Sequence, residues 1–241
     1  AAEVPSLAEA RTKKTRLEQE LSELNKPISE NIAYSEQNLI DRKQKIKSLD
    51  TEINKTIELI NKLLSEGEYA VHLGQDATDK LAGRIQKEYY FKDYQEWFVP
   101  HLEKLVSMYS LKVQEENWSG TTTAKFPLVI KDVTLWINYQ RAGEYNPPHN
   151  HTGDLSFIIY LKIPQEILEE PHPPNYTQEL NGSINIMNSS DTRPFSKNQL
   201  TEVPSDGDVY IFPSWMLHYV HAFKSDVERI SVSGNIDFKY D

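Results

Sequence analysis

The sequence contains no cysteine, no long hydrophobic run and no excess of basic residues. Without cysteine, a disulfide framework and thiolate metal sites are excluded, and the composition fits a reducing compartment. No apolar stretch approaches the roughly 20 residues that a helix needs to cross a bilayer, so we expect no membrane partner. Lys and Arg number 26 against 36 Asp and Glu, which gives a formal net charge of -10. This balance argues against nucleic acid as a partner, because little positive charge remains to neutralise phosphates.

Residues 7–65 also lack glycine and contain a single proline, Pro27, which predicts long helices interrupted at that point. Apolar residues recur there every seven positions, at Ile32, Leu39, Ile46, Ile53 and Ile60, and the second apolar position of the heptad is occupied by Leu49 and Leu63, three residues after Ile46 and Ile60. A seven-residue repeat indicates a helix that packs on other helices. We therefore predict that residues 1–66 form a coiled-coil stalk ending near Glu66-Gly67-Glu68, and that the chain self-associates as a dimer or trimer through about residues 28–65.

The remaining 67–241 part divides into a helical and a β-rich region. Residues 76–110 carry apolar and aromatic side chains at helical spacing, which predicts one or two supporting helices with a new start near Pro100. From residue 125 to 241, short β-forming runs alternate with Gly, Pro, Asn and Asp, which indicates an antiparallel sandwich or barrel. The proline-rich segment 165–176 is expected to be a loop. The predicted fold class is α+β, with an N-terminal coiled coil and helices packed on the β-barrel.

The histidines of the β-rich region are the candidate chemical groups. His149 and His151 flank one residue, so in an extended segment both imidazoles face the same side. His218 precedes another predicted strand, and Arg229 lies inside a strand eleven residues further on. A histidine pair with a distant third histidine is typical of a facial metal triad with open coordination positions.

Arg229 adds a requirement for an anionic ligand, because a buried guanidinium near a metal needs an anion as its partner. A dicarboxylate co-substrate that chelates iron at one end and pairs with Arg229 at the other would supply it. In the alternative interpretation, Arg229 pairs with an internal acid such as Asp206 or Asp226, and the histidines make ordinary hydrogen bonds.

These residues resemble the Fe(II)/2-oxoglutarate-dependent oxygenase superfamily, and most of all a small branch found in marine bacteria and in tailed phages of cyanobacteria. The resemblance covers about residues 120–241 and is carried by Trp136-x-Asn138, Gly143, Asn146, His149-x-His151, Ser156, Tyr160-Leu161, the Gly207…Phe212-Pro213-Ser214-Trp215…His218 run, Arg229-x-Ser231 and Asn235. It implies a double-stranded β-helix (a jelly-roll or cupin-like barrel) that uses Fe(II), 2-oxoglutarate and O₂.

The resemblance also implies roles for individual residues. His149 takes the place of the first metal ligand and His218 that of the distal one. Arg229 and Ser231 match the clamp for the 2-oxoglutarate carboxylate, and Tyr160 is a candidate second contact. His151 stands where the family usually has a carboxylate. We take His151 as the third metal ligand.

Asp154, three residues beyond His151, is the alternative third ligand if the intervening turn brings it round.

The function that follows is an Fe(II)- and 2-oxoglutarate-dependent dioxygenase hydroxylating an unknown substrate, with a peptide or prolyl side chain considered by analogy. A second hypothesis is a structural or assembly protein of a phage particle, whose oxygenase-like domain sits on the stalk and contacts other virion proteins. A third is a cupin metalloprotein, because Gly143…His149-x-His151 and Gly207-Asp208…Phe212-Pro213…His218 resemble the two cupin motifs. The expected location is the cytoplasm, or the virion for a phage protein.

Overall fold

The computed structural model describes residue 15 and residues 36–115, 128–171, 180–188 and 199–240. The predicted break at Pro27 and the heptad position Ile32 lie outside these residues. None of the described helices combines the length and the apolar character needed to cross a membrane.

A single long helix, α1 (Glu36–His72), forms the first described element. It continues through Gly67, so the end of the rod predicted at residues 66–68 is wrong. A Cβ atom at Gly67 would lie 2.3 Å from Cδ1 of Ile137 on the neighbouring sheet, which means that glycine is needed there for close packing. The domain boundary expected at residue 66 falls inside this helix.

The heptad residues Ile60 and Leu63 of α1 are 6% and 1% exposed and belong to the main hydrophobic core of this chain. At the C-terminal end of the repeat, the apolar heptad residues therefore pack on the sheet and helix of the same chain. Among residues 36–72 the structure shows one long helix, and no second coiled-coil strand lies among the residues that it describes. Self-association through this helix stays a prediction.

The segment predicted as helix 76–110 is only partly helical, so this prediction is corrected. It contains a short 3-10 helix (Thr78–Lys80), a strand β1 (Glu88–Tyr90) and a helix α2 (Gln95–Glu115). Strand pairing overrides helical spacing here, because β1 aligns Tyr89 with Ile137 at the sheet edge. Pro100 lies inside α2 and does not start it.

The β-rich region forms two antiparallel sheets packed face to face, as predicted for a sandwich or barrel. Its elements are β2 (Ile130–Gln140), β3 (Asn146–His149), β4 (Leu155–Lys162), the short helix α3 (Gln165–Leu168), β5 (Ile184–Met187), β6 (Gln199–Glu202), β7 (Val209–Pro213), β8 (Leu217–Val220) and β9 (Arg229–Phe238). The sheets have the orders β1-β2-β9-β4-β7 and β3-β8-β5-β6. The helix α3 occupies the start of a segment that was predicted to be a loop.

The larger sheet has two different faces because successive strand residues point to opposite sides. One face packs on α1 and α2 and supplies Ile137, Phe157 and Val232 to the main core. The other face meets the smaller sheet in a second cluster that includes Tyr160 and Ile184. The inward row of the larger sheet is rich in polar side chains, and this is where the candidate site lies.

Candidate metal centre and its cavity

Three histidines from two segments of the chain meet between the two sheets. His149 ends β3 and pairs with His218 on β8, while His151 follows two residues later. The ring centroids lie 4.8 Å apart for His149 and His151, 4.3 Å for His149 and His218, and 5.1 Å for His151 and His218. One nitrogen atom from each ring lies within 4.8 Å of the others. The structure thus brings together the three imidazoles that the sequence singled out.

Backbone carbonyls orient two of these rings. Nδ1 of His149 lies 2.7 Å from the carbonyl oxygen of Pro147, and Nδ1 of His218 lies 3.1 Å from that of Met216. Because a carbonyl oxygen can only accept, each Nδ1 carries the proton and each Nε2 keeps a free lone pair. This is the usual arrangement by which an outer hydrogen bond sets the tautomer of a metal-binding histidine.

Burial keeps all three imidazoles neutral. It lowers the pKa of His149, and together with the neighbouring His149 it lowers the pKa of His151 to about 4. Burial and His149 lower the pKa of His218 to about 3. Neutral imidazoles are the form that binds a transition metal, so the cluster is ready for a cation near neutral pH without first losing protons.

The structure places Asp154, the alternative third ligand, away from this cluster. One carboxylate oxygen accepts a 2.7 Å hydrogen bond from the backbone N–H of Phe238, and the other accepts the hydroxyl of Tyr240. The turn before β4 points the side chain at the end of β9, and Asp154 is not among the residues that surround the three rings.

Arg229 lies at the start of β9, opposite Gln140, and only 3% of it is exposed. Its terminal nitrogens donate to the carbonyl of Gly182 and to Oε1 of Gln140, which are neutral oxygens. Its Nε has no partner among the residues that the structure describes. Burial lowers the pKa of Arg229. Pairing with an acid, the alternative interpretation of Arg229, does not occur in these hydrogen bonds.

Tyr160 and Ser231 accompany Arg229 on the inward face. The guanidinium carbon of Arg229 lies 5.3 Å from the ring centre of Tyr160, whose hydroxyl has no partner among the described residues. Burial raises the pKa of Tyr160 to about 12, so the hydroxyl keeps its proton and can donate it. Oγ of Ser231 accepts from the side-chain amide of Asn138 at 3.3 Å. None of Arg229, Tyr160 and Ser231 is among the residues that line the cavity described next.

A cavity with about 430 Å³ of empty space, part of it open to solvent, adjoins the three histidines. Its other lining residues are Leu81, Ala82, Gly83, Glu88, Trp136, Asn146, Ser156, Phe157, Ile158, Phe212, Val220, Ser233 and Gly234. The wall combines apolar side chains with polar ones, namely the three histidines, Glu88, Asn146, Ser156 and Ser233. The apolar part of such a wall can pack against a ligand while the polar groups orient it.

Glu88 is the cavity residue that sequence reasoning missed. It is 1% exposed, and its Oε2 has no hydrogen-bond partner among the described residues. Burial, followed by the charges of Glu144 and Asp76, raises the pKa of Glu88 to about 7. The acid sits in a stretch with helical apolar spacing, and only the pairing of Glu88 with Asn138 turns it inward. We find no local sequence signal that would have singled it out.

Solved structures share limited similarity with this chain. A prolyl-4-hydroxylase of Pseudomonas putida is 14% identical, with a TM-score of 0.44 over 76% of this chain and 88% of that one. A 2OG-Fe(II) oxygenase family oxidoreductase of Burkholderia pseudomallei is 16% identical, with a TM-score of 0.30 over 59% of this chain and 62% of that one. A cupin domain of Bordetella pertussis is 16% identical, with a TM-score of 0.27 over 47% and 90%. These scores are too low to carry an argument.

No curated protein matches the chain. Residues 134–235, from β2 to β9, match the sequence family described as "Putative 2OG-Fe(II) oxygenase". The matched range contains the three clustered histidines, Tyr160, Arg229 and Ser231, and it agrees with the resemblance noted in the sequence. The β-rich domain is therefore similar to the 2OG-Fe(II) oxygenase superfamily, a family whose cofactors are Fe(II) and 2-oxoglutarate.

Proposed function

We propose that this protein is a dioxygenase that uses Fe(II) and 2-oxoglutarate to hydroxylate a C–H bond of a substrate held in the cavity. The observation that carries the proposal is the group of three neutral imidazoles at the wall of a cavity. Imidazole is a suitable ligand for ferrous iron, and a three-residue set leaves coordination positions for co-substrates.

His149, His151 and His218 are the residues that would hold Fe(II), two of them through the Nε2 atoms left free by their carbonyl contacts. The bound iron, with 2-oxoglutarate and O₂, supplies the oxidising chemistry, in which 2-oxoglutarate is converted to succinate and CO₂ as the substrate gains a hydroxyl group. With three neutral ligands, the site carries one negative charge fewer than a site with a carboxylate. We therefore expect its Fe(II) affinity to be lower.

Arg229 and Tyr160 fit the distal carboxylate of 2-oxoglutarate. The guanidinium Nε and the tyrosine hydroxyl are both buried donors without partners among the described residues. An unpaired buried charge is costly, so an anionic ligand that accepts from both groups would stabilise this region. Asn138 holds Ser231 beside them through its side-chain amide.

The chain also positions its third imidazole through a hydrogen-bonded relay. The backbone N–H of His151 donates to the carbonyl of Ser214 at 2.9 Å. Oγ of Ser214 lies 3.0 Å from Oγ of Ser156, which donates to Asn235 at 2.8 Å. This network ties the turn after β7 to strands β4 and β9. His151 lies in the loop between β3 and β4, and this network holds its backbone in place.

The test of this function is succinate release from 2-oxoglutarate in the presence of Fe(II), together with metal binding by calorimetry. We expect wild-type protein to bind one metal ion, and His218→Ala to lose that binding and at least about 100-fold of the activity, in line with the loss of a required ligand. His221→Ala is the matched control, because His221 is half-buried, packs on Tyr219 and lies outside the cluster. Absence of metal uptake by the wild-type protein would contradict the proposal.

A second candidate function, assembly of a larger particle, is favoured by the N-terminal half of α1. Ile46 and Leu49 occupy heptad positions and remain half-exposed along a helix of 37 residues. A hydroxylase of a small molecule does not need such a helix. We propose that this part of α1 packs on further helices, and that the catalytic domain is carried by the resulting oligomer.

A further inference from the structure

One end of the cavity presents hydrogen-bond acceptors without donors. Oε2 of Glu88 and Oδ1 of Asn146 are both buried, and neither has a partner among the residues that the structure describes. Both side chains line the same cavity as the three histidines. Two unpaired acceptors in one wall call for a donor, because a buried polar atom without a hydrogen-bond partner destabilises the fold.

The two acceptors converge on one small space beside Gly83. A Cβ atom built on Gly83 would lie 2.4 Å from Oδ1 of Asn146, and 3.1 and 3.3 Å from the two carboxylate oxygens of Glu88. Because residue 83 has no side chain, these oxygen atoms can lie close to the backbone at this end of the cavity, and an added methyl group would displace them. Leu81, Ala82 and Gly83 line the cavity as well, so the space is continuous with the one beside the histidines.

The charge around this space is negative. The described residues that line the cavity include neither lysine nor arginine. The charges that act on Glu88 come from two further acids, Glu144 and Asp76, and they raise the pKa of Glu88 in addition to the effect of burial. A cation brought from outside would relieve both the burial cost and the repulsion between these acids.

A purely structural role does not account for Glu88. Its neighbour Glu144 shows what such a role looks like, because that carboxylate accepts hydrogen bonds from the backbone N–H groups of Gln86 and Arg141 at 3.1 and 2.8 Å. Glu88 makes no comparable bond through Oε2. A neutral side chain of similar size would fill the same place without the cost of an unpaired buried carboxylate.

We propose that Glu88, assisted by Asn146, is the specificity-determining residue of the cavity and binds a substrate through a positively charged ammonium or guanidinium group. The inference rests on the proposed dioxygenase function and names the chemical class of its substrate. Asn146 and His149 belong to the same strand β3. The bound cation would therefore place a neighbouring C–H bond toward the histidine cluster.

The experiment uses full-length protein loaded with Mn(II) and 2-oxoglutarate, and measures probe binding by calorimetry. The probes are L-arginine, L-lysine and the tripeptides Gly-Arg-Gly and Gly-Lys-Gly, each paired with its neutral citrulline or norleucine counterpart. We expect at least one cationic probe to bind about tenfold more tightly than its neutral counterpart, a difference of about 1.4 kcal/mol. Glu88→Gln should abolish that preference, whereas Glu103→Gln, which removes an exposed carboxylate on α2, should leave it unchanged.

A second variant tests the packing beside Gly83 without changing the charge of Glu88. Gly83→Ala places a methyl group between Asn146 and Glu88, and we expect it to weaken the cationic probe at least tenfold while the melting temperature shows that the protein is folded. Equal binding of cationic and neutral probes, or a cationic preference that survives in Glu88→Gln, would overturn the inference. If the wild-type protein failed to bind Mn(II) or 2-oxoglutarate, that result would instead contradict the proposed function. Failure of the substrate proposal can therefore be distinguished from failure of the proposed function.

Discussion

At the scale of single residues, the unusual feature of this protein is where its unpaired polar atoms lie. The buried side-chain atoms without partners among the described residues belong to Glu88, Asn138, Tyr139, Asn146, Tyr160, Glu170 and Arg229. Glu88 and Asn146 line the cavity beside the histidines, and Tyr160 lies against Arg229. Buried polar groups are normally hydrogen-bonded, so this concentration marks a region built for ligands and not for stability.

Glu88 gives the clearest stability prediction at this scale. Its pKa is raised from 4.5 to about 7 in the folded protein, so between these values the folded state binds a proton that the unfolded state does not. The stabilising contribution is present below pH 4.5 and is lost as the pH rises through 7. Glu88→Gln should therefore increase the free energy of unfolding above pH 7, by at most about 3 kcal/mol on the scale of 1.36 kcal/mol for each pKa unit.

Urea unfolding of metal-free protein between pH 4.5 and 8 measures this effect. The gain from Glu88→Gln should grow with pH, and Glu103→Gln should show no such trend because that carboxylate is exposed. A variant that is less stable than wild type at pH 8 would show that the carboxylate supports the fold.

At the scale of secondary-structure elements, the C-terminal part of α1 packs as part of the same domain as the β-sheets. Ile60 and Leu63 enter the main core, and Gly67 allows the helix backbone to approach β2. The close contact occurs at Cδ1 of Ile137, a side chain with 0% exposure. A larger residue at position 67 would force the helix away from the sheet.

A double-mutant cycle at this contact tests the packing of the helix on the sheet. Gly67→Ala should destabilise the protein by about 1–3 kcal/mol through overpacking, despite the better helix propensity of alanine. Ile137→Val removes the Cδ1 atom, so the double variant should recover much of the loss beyond the simple sum of the two effects. Ser48→Ala, at an exposed position of the same helix, is the control for helix propensity. Additive effects at positions 67 and 137 would contradict the contact.

At the scale of the whole molecule, the apolar heptad residues of α1 differ in burial between the two ends of the helix. Its C-terminal members are buried within this chain, with Ile53 also only 8% exposed. Ile46 and Leu49, nearer the N-terminus, stay half-exposed. The part of the repeat available for self-association is thus shorter than the range of about residues 28–65 predicted from the sequence.

The oligomer proposal predicts that the charged double variant Ile46→Lys/Leu49→Lys lowers the sedimentation mass of the full-length protein to that of a monomer, because the introduced charges cannot be buried against another helix. The control is Lys47→Ala/Asp50→Ala on exposed positions of the same turns, which should leave the mass unchanged. A wild-type protein that sediments as a monomer would show the proposal to be wrong.

Local sequence was sufficient for the histidines and for the sandwich. His149 and His151 are two residues apart, so an extended backbone alone turns both rings to one side. The β-forming runs between glycines and prolines predicted antiparallel strands, and pairing of β3 with β8 adds His218 to the pair. Arg229 was likewise found from its position inside a strand with inward-facing alternate residues.

The sequence by itself thus determined the pair His149 and His151, the position of Arg229 inside a strand and the β-rich class of the domain, since each follows from local backbone geometry. The pairing of β3 with β8 then brings His218 to the pair. Only the tertiary structure decided that Asp154 turns to the end of β9, that α1 continues past Gly67 into the core, and that Glu88 enters the cavity. These outcomes depend on which strand pairs with which, and on how closely helix and sheet approach. Contacts between residues distant along the chain set both, and no local pattern encodes them.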